Sequence, residues 1–208
     1  MTDDQIKSLR DDITYMKALA DEGSRGPLLG GAILVAAGLI FAPASIVHWM
    51  IDTQVLAVGP EAYGYLWIAA VVIFLAALFV LKSRLGSRPG AFSPANRASS
   101  TAWMGVGLCC FVLGLSMAIL AWRAGTEVPL LFFPSLITAL YGAGWAVSAA
   151  MSSQKWLWVA AIGGWVAAPV LALLTGEPSQ YLAYAAALVL LTIVPGVILM
   201  RQEPSDVV

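Results

Sequence analysis

The chain has 208 residues, of which 60% are hydrophobic and 11% are charged, with a formal net charge of −1. A water-soluble domain has roughly a quarter of its residues charged, so this composition, with a mean hydropathy of +0.85, excludes an ordinary soluble enzyme. We expect no nucleic-acid partner.

The charged residues are gathered between long uncharged stretches. Six stretches of 20 to 27 residues contain no Asp, Glu, Lys, Arg or His. About 20 apolar residues in a helix cross the hydrocarbon core of a bilayer, which is about 30 Å thick. The sequence therefore predicts an all-α membrane protein, a six-transmembrane-helix bundle in contact with the lipid bilayer. The predicted spans are residues 28–50, 63–81, 100–122, 128–151, 156–175 and 181–200.

Residues 1–27 precede the first span, and their pattern predicts a cytoplasmic amphipathic helix. Its apolar residues recur at steps of three and four, the period of one helix face; they are Ile6, Leu9, Ile13, Met16 and Ala20. The segment has six acidic residues against four basic ones, whereas helices that lie on a membrane are usually basic on the polar face. The sequence therefore favours docking on protein: its own bundle, a second copy in a homodimer, or another partner. The alternative is a solvated helix that only leads into the first span.

The basic segment Lys82–Arg97 is the predicted electrostatic counterpart of this acidic helix. It contains four cations and no anion. We expect tail–loop contacts that involve Asp11 and Asp12 on the helix and Arg84 and Arg88 on the loop.

Lys and Arg near the span ends predict the orientation. If the N-terminus is cytoplasmic, all but one of the 11 cationic residues lie in cytoplasmic segments, and the exception is Arg123. Cytoplasmic loops of membrane proteins carry such an excess. We therefore expect a multi-pass protein of the plasma membrane with both termini in the cytoplasm, including a short tail at residues 201–208.

Candidate chemistry in the spans is sparse. His48 and Asp52 lie four residues apart near the outer end of the first span, and they form either an interfacial pair or part of a proton-transfer or metal site. Two such groups are too few for zinc without further ligands. Cys109 and Cys110 are adjacent in the third span, where we interpret them as packing residues. No ionisable residue lies in the middle of a span, although ion and proton pathways usually need one. We expect no metal, no cofactor and no enzymatic activity.

Prolines and small residues in the spans indicate how the helices pack. Pro43, Pro169 and Pro195 lie within predicted spans, and kinked helices line binding sites in transporters. A cavity there would be lined by Tyr141, Trp145 and Trp165, the deeper-lying aromatic residues. Small residues spaced by four let helices approach closely. One such row is Thr138, Gly142, Ala146 and Ala150, and another is Ala160, Gly164 and Ala168. Both are interpreted as contacts within the bundle, with a dimer interface as the alternative.

The stretch YMKALADEGSRGPLLGGAILVAAGL, from Tyr15 to Leu39, resembles the start of small six-span bacterial inner-membrane proteins that are themselves uncharacterised. The resemblance covers the first tail and the first span, and it implies a bacterial inner membrane but no activity. In size and span number the chain is also similar to the substrate-binding membrane subunits of vitamin uptake systems.

Two functional hypotheses follow. The first is a non-enzymatic accessory, scaffold or sensor protein that works through the N-terminal helix and the basic loop. The second is a binding or transport protein for a small neutral or apolar solute. A cavity lined by the three deep aromatic residues favours the second hypothesis, and a solid core with a docked or dimerising N-terminal helix favours the first.

Overall fold

The computed structural model describes residues 3–24, 28–85, 91–152 and 154–203, and every regular element in these ranges is helical. The bounds in chain order are α1 Asp3–Ser24, α2 Gly31–Asp52, α3 Glu61–Leu85, α4 Pro94–Ala124, α5 Val128–Leu131, α6 Phe133–Met151, α7 Leu157–Leu173, α8 Ser179–Leu188, a π-helix Val189–Ile193, and α9 Val194–Gln202. The all-helical class that the sequence predicts is confirmed for these residues.

Five of the predicted spans are helices long and apolar enough to cross a membrane. They are α2, α3, α4, the stretch from α5 through α6, and the run from α8 to α9. The predicted fifth span corresponds to α7, which is apolar but has only 17 residues. The helices therefore indicate a multi-pass membrane protein.

Both ends of the basic segment Lys82–Arg97 are helical, whereas the sequence predicts a loop. Lys82 and Arg84 belong to the last turn of α3, and Arg97 lies inside α4. Helix α4 begins at Pro94 because Ser93 caps it: the Ser93 hydroxyl accepts a hydrogen bond from the Asn96 backbone N–H at 3.3 Å. A proline in the first turn suits this start, since that N–H has no partner within the helix.

Two predicted spans are interrupted in the structure. The fourth span divides at Phe132 into α5 and α6, and Pro134 follows in the first turn of α6. The sixth changes to a π-helix at Val189–Ile193, directly before Pro195. Proline lacks the N–H of a regular helix, and a π-helical turn is one way in which a helix absorbs such a gap. Pro43 and Pro169 lie inside α2 and α7, which continue past them.

Glycines allow the two closest helix crossings. A Cβ atom on Gly164 of α7 would lie 2.7 Å from the Gly142 backbone nitrogen of α6. A Cβ atom on Gly196 of α9 would lie 2.8 Å from the Gly31 carbonyl oxygen of α2. The predicted small-residue rows of the fourth and fifth spans therefore meet each other within one chain, which supports the bundle interpretation of these rows.

The helices form two neighbouring groups. Helix α2 packs against α3 and against the run from α8 to α9, while α6 packs between α7 and α4; α7 touches α8 and the π-helix and so joins the groups. Helices α3 and α4 are peripheral. In each of them only 6% of an apolar stretch of 18 residues is buried, against 50% of the corresponding stretch in the run from α8 to α9.

The bundle has two ends, which we name by one residue at each. At the Asn96 end, the Leu29 backbone N–H donates to Asn96 Oδ1 at 2.8 Å and so joins the start of α2 to the start of α4. At the His48 end, the end of α2 meets the starts of α3 and α8. Each end has its own hydrophobic cluster, the first around Trp145 and Leu157 and the second around Tyr184 and Leu188.

Candidate functional site

The densest cluster of functional side chains surrounds His48. Its imidazole stacks on the Tyr181 ring with 3.5 Å between centroids and 18° between planes. The Tyr63 ring is tilted against it at 4.5 Å, and the Trp67 ring lies at 6.0 Å. Tyr63 and Trp67 belong to α3 and Tyr181 belongs to α8, so the fold brings three helices together around His48. Together with His48 we call these three aromatic residues the His48 cluster.

One hydrogen bond fixes the tautomer of His48. The Trp67 indole Nε1–H donates to His48 Nδ1 at 3.0 Å. An indole nitrogen can only donate, so Nδ1 must be an unprotonated acceptor, and a neutral imidazole then carries its proton on Nε2. Among the described residues, Nε2 has no hydrogen-bond partner. The cluster therefore holds a neutral imidazole between aromatic rings.

The predicted pair of His48 and Asp52 is not hydrogen-bonded within the described residues. Asp52 lies one turn further along α2 and is exposed.

The chemistry open to this cluster is limited. No group of three His, Cys, Asp or Glu residues within the described ranges is arranged to hold a metal ion. The hydrogen bond that His48 receives occupies the nitrogen that a general base would need. The rings instead pack α2, α3 and α8 together, since aromatic pairs with centroids 4.5–7 Å apart are worth about 1 kcal/mol beyond the area they bury.

We predict that His48 reports directly on its bond to Trp67. Because His48 is the only histidine, ¹⁵N-histidine labelling gives the nitrogen resonances of a single imidazole. Nδ1 should show the shift of a hydrogen-bonded, unprotonated nitrogen. In Trp67→Phe this resonance should move towards that of a free imidazole, because the ring remains and the donor is lost.

The matched control for this measurement is Trp122→Phe, since Trp122 is 83% exposed on α4. It should leave the His48 resonances in place. An unchanged Nδ1 resonance in Trp67→Phe would contradict the assigned bond.

Gln180 is a buried polar side chain at the same end that sequence reasoning missed. It is 1% exposed. Its Nε2 donates to the Leu131 carbonyl at 2.7 Å and to the Leu171 carbonyl at 3.3 Å. It thus bonds to carbonyls near the ends of α5 and α7, while its Oε1 is buried and has no hydrogen-bond partner among the described residues. The available signal was a glutamine at the first turn of an apolar span.

Two of the three residues predicted to line a cavity pack against other side chains. Trp145 is fully buried, and its Nε1–H donates to the Leu191 carbonyl at 2.9 Å. Tyr141 and Trp145 both pack edge-on against Trp103, at 5.5 Å and 5.0 Å between ring centroids. Trp165 lies on α7 and is 44% exposed. Two open surface grooves of the described residues, one on α1 and one beside α4, are not lined by these three residues.

The Asn96 end has a buried polar network that sequence reasoning also missed. The Ser99 and Ser148 hydroxyls are 2.8 Å apart, and the Trp103 Nε1–H donates to Ser148 Oγ at 3.2 Å. Ser148 donates in turn to the Gly144 carbonyl of its own helix. The network joins α4 to α6 and satisfies its own members, so it holds the helices together and offers no free group to a ligand.

The predicted tail–loop residues lie at the surface. Asp11 and Asp12 are exposed on α1, and Arg84 is exposed in the last turn of α3. Arg88 lies outside the described residues. Helix α1 touches α4 lightly.

No family model matches the chain, and neither a curated protein nor a solved structure is significantly similar to it.

Proposed function

We propose that this chain is a six-pass protein of the bacterial inner membrane that acts without catalysis, as an accessory, scaffold or sensor protein, and that α1 is its working surface. The observation that carries the proposal is a contrast in packing. Several large side chains are fully buried between the helices, whereas the apolar side chains of α1 are exposed.

The filled interior supports binding at a surface over binding in a cavity. Trp145, Leu157 and Thr138 are fully buried between the helices that a solute cavity would have to separate. The polar side-chain atoms among them are hydrogen-bonded. The Trp145 indole donates to the Leu191 carbonyl, and the Thr138 hydroxyl donates to the Pro134 and Ser135 carbonyls. A solute would have to displace these contacts.

The apolar face of α1 supports a role in protein contact. Ile6, Leu9, Ile13 and Met16 are 49%, 52%, 56% and 61% exposed. Four large apolar side chains in one line on a helix of 22 residues form a contiguous patch of the kind that marks interaction sites. The spans need no such explanation, because lipid covers their apolar surface.

Length and charge support the membrane placement. Helix α7 has 17 residues, which at 1.5 Å per residue gives about 26 Å. A short span is accommodated by local thinning of the bilayer, so α7 completes six passes. The excess of Lys and Arg near α1 and at the Asn96 end favours a cytoplasmic location for that end and for both termini.

Photo-crosslinking in living cells tests the proposal. A photoreactive amino acid at Leu9, on the apolar face of α1, should give protein adducts. The same amino acid at Asp11, on the opposite face, is the matched control and should give severalfold fewer. Equal yields at the two positions, or adducts to lipid alone from Leu9, would contradict a protein-binding role for this face.

The placement is checked in the same cells with a single cysteine. Cys109 and Cys110 are the only cysteines and are first changed to serine. Asp11→Cys should then react with a membrane-impermeant maleimide only after the cells are opened. Labelling of intact cells to the same extent would place α1 outside the cytoplasm.

A further inference from the structure

We infer that α1 pairs with α1 of a second copy as a parallel, in-register, two-stranded coiled coil. This inference rests on the proposed function, in which α1 is the working surface, and it names the partner. It is carried by the apolar repeat of α1, the exposure of that repeat, and the charges beside it.

The apolar repeat of α1 has the period of a coiled coil. Its members follow at steps of three, four, three and four: Ile6, Leu9, Ile13, Met16 and Ala20. These are the a, d, a, d and a positions of a seven-residue repeat. Apolar residues at a and d positions form a seam that can face a partner helix.

The residue types at these positions favour two parallel strands. Two of the three a positions are the β-branched Ile6 and Ile13, and the first d position is Leu9. Isoleucine at a with leucine at d is the combination that selects parallel dimers over trimers and tetramers. The four a and d side chains from Ile6 to Met16 are all about half exposed in the single chain, so they are free to form this seam.

The flanking charges favour the parallel register. In a parallel pair, each g residue faces the e residue five positions later on the partner. Asp12 at g then faces Lys17 at e, and Gln5 at g faces Arg10 at e. In an antiparallel pair, the e residues face each other and would bring Arg10 against Lys17. Like charges disfavour that arrangement, so the sequence discriminates against it.

The charges of α1 argue against lipid as the partner of its apolar face. The outermost f positions of the repeat are Asp4, Asp11 and Ala18, so the face that a surface-bound helix would turn away from lipid carries acids. Membrane-surface helices place Lys and Arg there. An anionic leaflet would repel this one.

Anchoring in the membrane offsets the shortness of the seam. Isolated helices of this length are marginal in water. Two copies held in one bilayer have their α1 helices on the same side, and tethering makes the second contact nearly intramolecular, with a high effective concentration. Pairing therefore depends on the full chain in a membrane.

Cysteine cross-linking of the full chain in liposomes tests the inference. In the Cys109→Ser, Cys110→Ser background, Leu9→Cys and Met16→Cys should each form a disulfide-linked dimer under mild oxidation. Asp11→Cys, at the outward f position, should form severalfold less. The two d positions lie in opposite halves of the helix. Each cysteine can therefore form a disulfide with the same position of the second copy only if the two helices are parallel and in register.

A charge-reversal cycle tests the register independently. Asp12→Lys and Lys17→Asp should each lower the dimer association constant by about tenfold, since each turns an attractive g–e pair into a repulsive one on both sides of the seam. The double variant Asp12→Lys/Lys17→Asp should recover the dimer, because both copies then carry the reversed pair.

The outcomes separate this inference from the proposed function. Failure of both d-position cysteines to cross-link, cross-linking of Ile13→Cys alone, or a double variant no better than the singles would overturn the coiled coil. Photo-adducts from Leu9 to a different protein would retain the proposed function and overturn the self-pairing. Absence of any protein adduct would overturn both.

Discussion

Gly164→Leu should destabilise the bundle more than any other single substitution considered, by about 3 kcal/mol or more. A Cβ atom at this position would lie 2.7 Å from the Gly142 nitrogen, 2.9 Å from the Gly142 Cα and 2.9 Å from the Thr138 carbonyl oxygen. All three neighbours are backbone atoms, so no side chain can rotate away. Helices α6 and α7 would have to separate along their whole contact.

The measurement is the free energy of unfolding in mixed detergent micelles, with SDS as the denaturant. Gly107→Leu is the matched control, because a Cβ atom on Gly107 of α4 meets nothing within 4 Å. It should change stability by less than about 0.5 kcal/mol. If Gly164→Leu unfolds at the same SDS fraction as Gly107→Leu, then α6 and α7 do not cross at these glycines.

Trp145→Ala should have the second largest effect, about 2–3 kcal/mol. The indole is fully buried and bonds to the Leu191 carbonyl at 2.9 Å. Its removal leaves a cavity and loses van der Waals contacts. The expected loss is smaller than in a soluble core, because the unfolded spans remain in an apolar medium and the transfer from water drops out.

Trp145→Phe separates packing from hydrogen bonding. It keeps an aromatic ring, which contributes to the contact with Trp103, and removes the donor to Leu191. A regular helix would satisfy that carbonyl from residue 195, which is a proline and has no N–H. We expect about 1 kcal/mol of destabilisation, the usual worth of an interhelical hydrogen bond in a membrane.

Trp122→Ala serves as the control for both tryptophan variants, since Trp122 is 83% exposed. Its unfolding in SDS should match that of the parent chain. A loss for Trp145→Ala no greater than that for Trp122→Ala would contradict a packed interior and would favour a solute cavity.

The order of these effects bears on function. If substitutions inside the bundle change stability while those on α1 change only association, the bundle is a scaffold and α1 is the part that binds. The His48 cluster belongs to the scaffold in this view, because its rings join α2, α3 and α8. Trp67→Phe should accordingly alter the His48 resonances without altering the dimer yield from Leu9→Cys.

Local sequence signals predicted most helix positions. The uncharged stretches placed α2, α3, α4 and the run from α8 to α9 because a membrane solvates long apolar helices and penalises charge. The ends were less predictable. Helix α4 begins earlier than expected because a serine cap and a following proline favour helix formation, and neither signal depends on hydropathy.

The interruptions within spans were predicted only in part. Pro195 indicated distortion, but proline alone does not decide between a kink, a break and a π-helical turn. At the break at Phe132, a residue distant in sequence supplies a hydrogen bond: the Gln180 side chain donates to the Leu131 carbonyl. A glutamine 49 positions away leaves no local signal of that role.

The amino-acid order alone accounts for the helical class, the apolar lengths, the asymmetry of cations and the seven-residue repeat of α1, because hydropathy, charge and periodicity act within a few turns of chain. Only the tertiary structure decides that Gly164 meets Gly142, that Trp145 is buried and donates to the Leu191 carbonyl, and that His48 receives its hydrogen bond from Trp67. A helix face specifies that it will be buried but not against which neighbour, since that depends on how all the helices pack at once.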